Sequence, residues 1–156
     1  MATSSATTTG IKENSSWKGG VAAGLVGGAA MTVLMLAMGA TPVIAAAIPG
    51  LYGLAPPPNP VAGLVVHLSH GAVLGVTFAG LAGAAGLSDA RSLVGAGLAW
   101  GVVTWVGLAA LVMPLWLRAV GFPTPPPFPN FAVPSLLWHL TYGVVTGGAY
   151  TALGDL

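Results

Sequence analysis

The chain alternates between long apolar runs and short breaks rich in proline, glycine or small polar residues. No charged side chain occurs from Gly19 to Ser88, a stretch too long for one crossing of a hydrocarbon core of about 30 Å. Prolines and glycines divide this stretch into two, and two further apolar runs follow it. A helix that spans a bilayer needs about 20 apolar residues. The pattern therefore predicts four transmembrane helices, over residues 19–40, 61–86, 93–117 and 132–153.

The breaks between the predicted helices differ in kind. The first, GLYGLAPPPNP at residues 50–60, and the third, GFPTPPPFPN at residues 121–130, are rich in proline, which removes backbone donors and ends helices. The second break, SDARS at residues 88–92, is short and polar, so the second and third helices should form an antiparallel hairpin. Pro42 and Pro114 lie near the outer ends of the first and third spans, and we expect them to kink those helices.

The second half of the sequence repeats the first. HLSHGAVLGVTFAGL at residues 67–81 aligns with HLTYGVVTGGAYTAL at residues 139–153, with six of fifteen positions identical. Upstream glycines and the pair Pro42 and Pro114 match at nearly the same offset. Each half contains two helices, so both copies should cross the membrane in the same direction. The sequence predicts an all-α, polytopic membrane protein of two tandem helix pairs, residues 19–86 and 93–153, related by a pseudo-two-fold along the membrane normal.

Composition supports a membrane location and excludes several other classes. Charged residues make up 4 % of the 156-residue chain, against about 25 % in soluble domains, and the mean hydropathy is +0.88. A net charge of +1 with no basic patch gives no indication of nucleic-acid binding. Cysteine is absent, so disulfides, thiolate nucleophiles and cysteine-ligated metals are excluded. The lipid bilayer is the predicted environment.

The few charges also predict the topology. Residues 1–16 are polar and lack the apolar core of a cleaved signal, which indicates a disordered cytoplasmic tail before a four-helix domain at residues 17–156. Lys12, Lys18 and Arg91 fall on one side of the membrane and only Arg118 on the other. Because cytoplasmic segments carry the excess of cations, we predict a multi-pass protein of the cell membrane with both termini cytoplasmic.

Two pairs of polar ring side chains lie near the proline-rich ends of the second and fourth predicted helices. His67 and His70 share one face of the second helix, and His139 and Tyr142 share the matching face of the fourth. The repeat places His67 and His139 at one depth, roughly 10 Å below the outer surface at 1.5 Å per residue. Ionisable residues inside a membrane are costly and mark candidate functional sites. We therefore treat these four residues as the polar site candidates, and expect both paired histidines to point into the bundle.

Glycines recur four residues apart on the same faces and on the first and third helices. This spacing allows helix backbones to approach closely, so that packing replaces the hydrophobic drive that is missing in lipid. We predict that the glycines of the second and fourth helices face another helix, most simply each other. The eight helix-packing candidates are Gly24, Gly28, Gly71, Gly75, Gly97, Gly101, Gly143 and Gly147.

Catalytic chemistry finds no candidate residues. Asp89 lies in a turn, Asp155 at the carboxy terminus and Glu13 in the tail, so no two carboxylates can meet for acid–base hydrolysis. Ser69 lies on a different helix face from His67 and has no acid to orient a Ser–His pair. None of the glycine-rich stretches is followed by the lysine of a phosphate loop. We predict that the protein is not an enzyme.

Three functions fit these residues. The first is a non-enzymatic accessory or assembly subunit that packs through its glycine faces against a membrane protein or a second copy of itself. The second is a small-solute or proton pathway lined by the four polar candidates. The third is a b-type haem held by His67 and His139, against which the close helix approach of the glycines argues. A bare metal site of His67, His70 and His139 lacks an orienting carboxylate, so no metal or cofactor is assigned.

The combination of both proline-rich breaks with two histidine helices resembles a known group. IPGLYGLAPPPNP with HLSHGAVLG, and VMPLWLRAVGF with PPFPNFAVPSL and WHLTYGVVTGGAY, are similar to a group of small haloarchaeal membrane proteins of unknown function. The resemblance covers residues 17–153 and implies a fold and a lineage. Members of that group are sometimes labelled histidine kinases. This sequence has no room for the phosphoacceptor and ATP-binding domains of such a kinase, so the resemblance transfers no catalytic residue.

Overall fold

The computed structural model describes residues 16–156, and this part of the chain is all-α. The predicted tail, residues 1–16, lies outside the described residues except for Ser16. Five helices follow. They are α1 (Trp17–Ala37), the short α2 (a π-helical turn Val43–Ala47 followed by an α-helical turn Ile48–Gly50), α3 (Pro60–Ala84), α4 (Ala90–Ala119) and α5 (Val133–Leu153).

Three of the four long helices, α1, α3 and α4, begin where a polar side chain takes up a free backbone donor, whereas α5 begins after Ala132 without such a cap. Ser16 accepts a hydrogen bond from the N–H of Gly19, Asn59 accepts one from Ala62, and Asp89 accepts one from Ser92. The Ser92 hydroxyl also donates to the Asp89 carboxylate, and these donors hold the pKa of Asp89 below its ordinary value. The structure thus starts α1, α3 and α4 at the caps that the sequence provides.

Three helices, α1, α3 and α4, are long and apolar enough to cross a membrane. Their apolar surfaces indicate that the protein is a multi-pass protein embedded in a lipid bilayer. α5 has 21 residues, a sufficient length, but it carries more hydroxyl and ring-polar side chains and does not reach the same hydropathy. The four predicted spans are therefore confirmed for three helices. The first span is shorter than predicted, because α1 ends at Ala37 and Gly39 follows with a positive φ of 75°.

The helices pack as two pairs joined by one central interface. α1 runs along α3, α4 runs along α5, and α1 also packs extensively on α5. In contrast, α3 makes few contacts with α5. It also makes few with α4, although a turn of only five residues (85–89) joins α3 to α4. Much of the space between α3, α4 and α5 is therefore left open.

The two proline-rich breaks are attached to the helices in the same way. Pro49 and Pro114 each lie directly after a π-helical segment, and neither can donate to the carbonyl four residues before it. For Pro49 this carbonyl belongs to Ala45, and the N–H of Asn59 donates to it at 2.7 Å. For Pro114 it belongs to Ala110, and the N–H of Asn130 donates to it at 2.9 Å. Each break therefore satisfies a backbone acceptor that its neighbouring proline leaves free.

This arrangement corrects the predicted pairing of the prolines. Pro114 continues a helix after a π-helical segment, and Pro49 has that same environment. Pro42 instead precedes the π-helical turn of α2 and stands outside α1. The pairing of Pro42 with Pro114 is therefore wrong, because the sequence offset did not account for the separate turn that follows α1.

Candidate functional site

A cavity of about 550 Å³ lies between the two helix pairs, at the end of the bundle that carries the proline-rich breaks. All five helices contribute to its walls, which are mostly apolar. It brings together all four polar candidates predicted from the sequence. Its polar lining consists of His67, His70, His139, Tyr142, Tyr52, Thr104, Ser135 and the indoles of Trp116 and Trp138.

His139 is held in a defined orientation. Its Nδ1 lies 2.7 Å from the backbone carbonyl oxygen of Ser135, one turn earlier in α5. A carbonyl oxygen only accepts hydrogen bonds, so Nδ1 must carry the hydrogen. In a neutral imidazole the other nitrogen, Nε2, is then an acceptor with a free lone pair. His139 therefore offers an acceptor to whatever occupies the cavity.

His67 is the most deeply buried of the three histidines. Only 8 % of its surface is exposed, and its Nε2 has no hydrogen-bond partner among the described residues. Leaving a buried polar atom without a partner costs on the order of 1–3 kcal/mol, and native structures rarely tolerate it without a reason. The His67 ring lines the cavity while its Nε2 is buried behind the cavity surface, so an occupant could reach this nitrogen only after the ring turns.

The other two candidates already have partners. The Nε2 of His70 lies 2.7 Å from the hydroxyl of Tyr52, a residue of the first proline-rich break, and the two rings are tilted with centroids 5.7 Å apart. The hydroxyl of Tyr142 donates to the backbone carbonyl of Gly71 at 2.9 Å and so bridges α5 to α3. Tyr142 therefore acts mainly as a structural link, and His67 and His139 have the free hydrogen-bonding capacity.

Besides the indoles of Trp116 and Trp138, three polar lining residues were not identified from the sequence. Tyr52 reaches the cavity from a loop, Ser135 supplies a backbone carbonyl, and Thr104 bonds backward to the carbonyl of Trp100 at 2.9 Å. Two signals were available. Ser135 lies one turn before His139 on the same helix face, and Tyr52 lies in the proline-rich break at the histidine end of the second helix.

The glycines lie at helix contacts, but with different partners from those predicted. A Cβ atom at Gly24 would collide with the carbonyl oxygen of Gly71, and one at Gly71 would lie 2.8 Å from the carbonyl oxygen of Gly24. In the other pair, a Cβ at Gly97 would collide with the carbonyl of Gly143. Gly75 likewise meets α1, Gly101 and Gly147 meet the opposite helix of the α4–α5 pair, and Gly28 makes ordinary contact with Leu68.

The predicted contact of the second and fourth helices through these glycines is therefore wrong. Their glycine faces pack on the first and third helices, which leaves α3 and α5 apart around the cavity. This also removes the objection that glycine packing brings the two histidine helices too close for a ligand between them. Within residues 16–156, no cluster of three or more His, Cys, Asp or Glu side chains could hold a metal ion, so a bare three-histidine site has no support.

The helices and their apolar surfaces define the class of this protein as a small all-α, multi-pass membrane protein. Residues 15–155 match the family described as "Family of unknown function (DUF6789)", and the chain belongs to that family. No curated protein and no solved structure matches the chain. The family description names neither an activity nor a lineage. The resemblance to haloarchaeal membrane proteins therefore stays a prediction.

Proposed function

We propose that this protein is a non-enzymatic membrane protein that binds a small uncharged molecule between its two helix pairs. The observation that carries the proposal is the 550 Å³ cavity that brings together His67 and His139, each with an Nε2 that has no hydrogen-bond partner among residues 16–156. Ligand sites of this size are mostly apolar, with a few placed polar groups that orient the ligand. The cavity has this composition.

The lining also favours binding over catalysis. Among the described lining residues there is no carboxylate, lysine or arginine, so no acid–base pair faces the space. A charged solute would lose its hydration without gaining an ion pair. A neutral solute that accepts or donates one or two hydrogen bonds suits the site best. The same lining serves a solute pathway if the cavity opens alternately on its two sides.

The accessory-subunit hypothesis has less support. It depended on glycine faces free to bind a partner, and the eight predicted packing glycines all contact another helix of the chain. The remaining exposed surface of the long helices is made of large aliphatic side chains, which lipid can cover. A second copy or another membrane protein is therefore not needed to complete the fold.

The proposal includes a fourth span and a parallel repeat. α5 packs along both α1 and α4, which supports its lying in the membrane beside them. Gly24 meets Gly71 as Gly97 meets Gly143, and the matched residues Phe78 and Tyr150 stack edge-to-face with centroids 6.0 Å apart. Contact between matched residues is expected next to a pseudo-two-fold axis. With four spans, both termini lie on one side of the membrane and both proline-rich breaks lie on the other. The excess of cations assigns the side of the termini to the cytoplasm, so the breaks lie outside.

Two threonines provide a matched test of the cavity, because the natural chain has no cysteine. Thr104 lines the cavity and is 2 % exposed, whereas Thr146 is 0 % exposed and does not line it. We expect methyl methanethiosulfonate, a small neutral reagent, to modify Thr104→Cys and to leave Thr146→Cys unmodified in the folded protein. Equal protection of both cysteines would refute an accessible cavity and with it the proposed function.

A bis-histidine haem is the second candidate. Its specific support is His139, whose Nδ1–H donates to a carbonyl while Nε2 stays free, an arrangement typical of metal-bound histidines. Haem binding predicts an intense Soret band in the purified protein and its loss in His67→Leu and His139→Leu. Absence of that band after expression with added haem precursor would eliminate this candidate and leave the neutral-ligand site standing.

A further inference from the structure

We propose that the cavity takes its ligand from the bilayer, through the gap between α3 and α4, and that this ligand is a lipid-soluble ring compound with ring hydroxyls and an apolar tail, the chemistry of an isoprenoid quinol. This inference rests on the proposed function, because it names the class of molecule and the route by which it reaches the same site. Four observations lead to it, taken in turn below.

The first observation is an opening toward lipid. Val73 of α3 lines the cavity and is 65 % exposed, and Leu108 and Val112 of α4 also line it while exposed on the outer surface. Side chains that face both a cavity and the exterior mark its rim. α3 and α4 make few contacts beside this rim, and Val73, Leu108 and Val112 are aliphatic. The other exposed lining residues, Tyr52 and Trp116, lie at the first proline-rich break and are joined there by the hydrogen bond from Trp116 to the Leu51 carbonyl. Molecules dissolved in acyl chains can pass such a rim, whereas ions cannot.

The second observation is the composition of the cavity walls. Three methionines, Met31, Met35 and Met113, face the cavity from α1 and α4, and Trp116 and Trp138 add large aromatic surfaces. Thioethers adapt to flat rings and make favourable sulfur–aromatic contacts, and indoles stack on other rings. With no charged side chain among the described lining residues, the walls favour a neutral ring over a charged headgroup.

The third observation is the direction of the hydrogen bonds. The bond from Nδ1 of His139 to the Ser135 carbonyl leaves Nε2 as an acceptor, so its partner must donate. The Nε2 of His67 also lacks a partner in the described chain, but it is buried behind the cavity wall, so His139 is the histidine that selects the ligand. A ring hydroxyl can donate to His139. A quinone, whose two oxygens only accept, cannot donate to His139.

The fourth observation is that most of the neighbouring donors are already engaged, the Ser135 hydroxyl being the exception. Tyr142 donates to the carbonyl of Gly71, and Thr104 donates to the carbonyls of Trp100 and Gly101. His70 and the Tyr52 hydroxyl are paired with each other. Donors that could serve a quinone are therefore scarce, while the acceptors of the histidines are free. The site should prefer the reduced form of the ring compound.

The test compares two forms of one probe on the full chain in phosphatidylcholine nanodiscs under anaerobic conditions. Decylubiquinol and decylubiquinone have the same tail and ring and differ in hydroxyl donors. Quenching of tryptophan emission reports binding, since two indoles line the cavity. We expect decylubiquinol to bind about tenfold more tightly, the value of one hydrogen bond to an otherwise unpaired group. Equal or tighter binding of decylubiquinone would overturn the inference without any variant.

Two variant pairs test the residues and the route. His139→Leu should reduce the preference for the quinol to about onefold, whereas Thr141→Val, on the same helix but outside the cavity, should retain it. Val73→Trp should slow association of the tailed probe at least tenfold. Val65→Trp, 62 % exposed on the same helix and away from the rim, should leave the rate unchanged. An unchanged rate in Val73→Trp would refute access through the α3–α4 gap.

The outcomes also separate this inference from the proposed function. If neither form of the probe binds while Thr104→Cys is still modified by methyl methanethiosulfonate, the cavity exists and the quinol class is wrong. If Thr104→Cys is protected as fully as Thr146→Cys, the cavity itself is refuted and both proposals fail. A Soret band in the protein purified from its membrane would assign the two histidines to haem and overturn the quinol class.

Discussion

Replacement of Gly143 by alanine tests the close helix contact that holds the α4–α5 pair together. A Cβ atom there would collide with the carbonyl oxygen of Gly97 and lie 3.0 Å from the Cα of Gly101. Carbon atoms make ordinary contact at about 3.5–4.0 Å, so the helices must separate by at least about 0.5–1 Å to clear the Cα of Gly101, and further to clear the carbonyl oxygen of Gly97. Gly148 on the same helix is the matched control, because its Cβ would find Val94 at an ordinary 3.9 Å.

The magnitude follows from this comparison. Both substitutions give the same gain in helix propensity, about 1 kcal/mol, so their difference isolates the contact. Overpacking a close contact costs about 1–3 kcal/mol, and a separation of 0.5–1 Å forfeits a quarter to a half of the dispersion energy of the atoms that face it. We expect Gly143→Ala to be about 1–3 kcal/mol less stable than Gly148→Ala. Gly143→Leu should prevent assembly of the pair.

Unfolding in mixed micelles with increasing dodecyl sulfate, followed by tryptophan emission, measures this difference. The two variants share a helix, a detergent and an unfolded state, so systematic errors in the extrapolation cancel. Equal stabilities for Gly143→Ala and Gly148→Ala would show that α4 and α5 do not touch at Gly143. The glycine contacts would then no longer explain why α3 and α5 stay apart.

Three further predictions follow from the fold. Tyr142→Phe removes the hydroxyl that bridges α5 to α3 and should lower the free energy of unfolding by about 0.6 kcal/mol, as measured by the same titration; a stabilised variant would contradict the bridge. Asp89→Ala should destabilise the start of α4 at neutral pH. Ser92 lowers the pKa of Asp89 in the folded state, so the loss of unfolding free energy in Asp89→Ala should be complete at pH values above the ordinary pKa of the carboxyl. The loss should shrink as the pH falls through the lowered pKa. A loss that does not depend on pH would refute the cap. Glycosylation or reporter tags at Asn59 and Asn130 should report both breaks outside the cell, and a cytoplasmic location of either would refute the four-span topology.

The long elements were predictable from the sequence because they depend on local composition. Prolines and glycines marked both major breaks, and SDARS marked the hairpin turn, in which the structure adds a cap at Asp89. The end of α1 was harder, since apolar residues continue past Ala37 while the backbone already turns at Gly39. Hydropathy alone does not distinguish a helix from a short separate turn in the same run.

The candidate site was predicted in its residues but not in its arrangement. Repetition of the histidine faces identified His67 and His139, because a ring nitrogen inside a membrane is costly on any helix. Which helix each glycine face meets depends on the order in which the helices pack, and the spacing of glycines is the same for every partner. Tyr52 was missed for a related reason, because a loop residue has no periodicity that reveals its direction.

The few contacts between α3 and α4 have a consequence for how affinity should be understood. Under the proposed access between α3 and α4, acyl chains would complete the enclosure of the cavity where the rim residues Val73, Leu108 and Val112 stand apart. Lipid is then a third component of the complex, alongside protein and ligand. Chain length, unsaturation and lateral pressure change how firmly that side is sealed. The dissociation constant of any ligand held there becomes a joint property of the protein and of the bilayer composition around it.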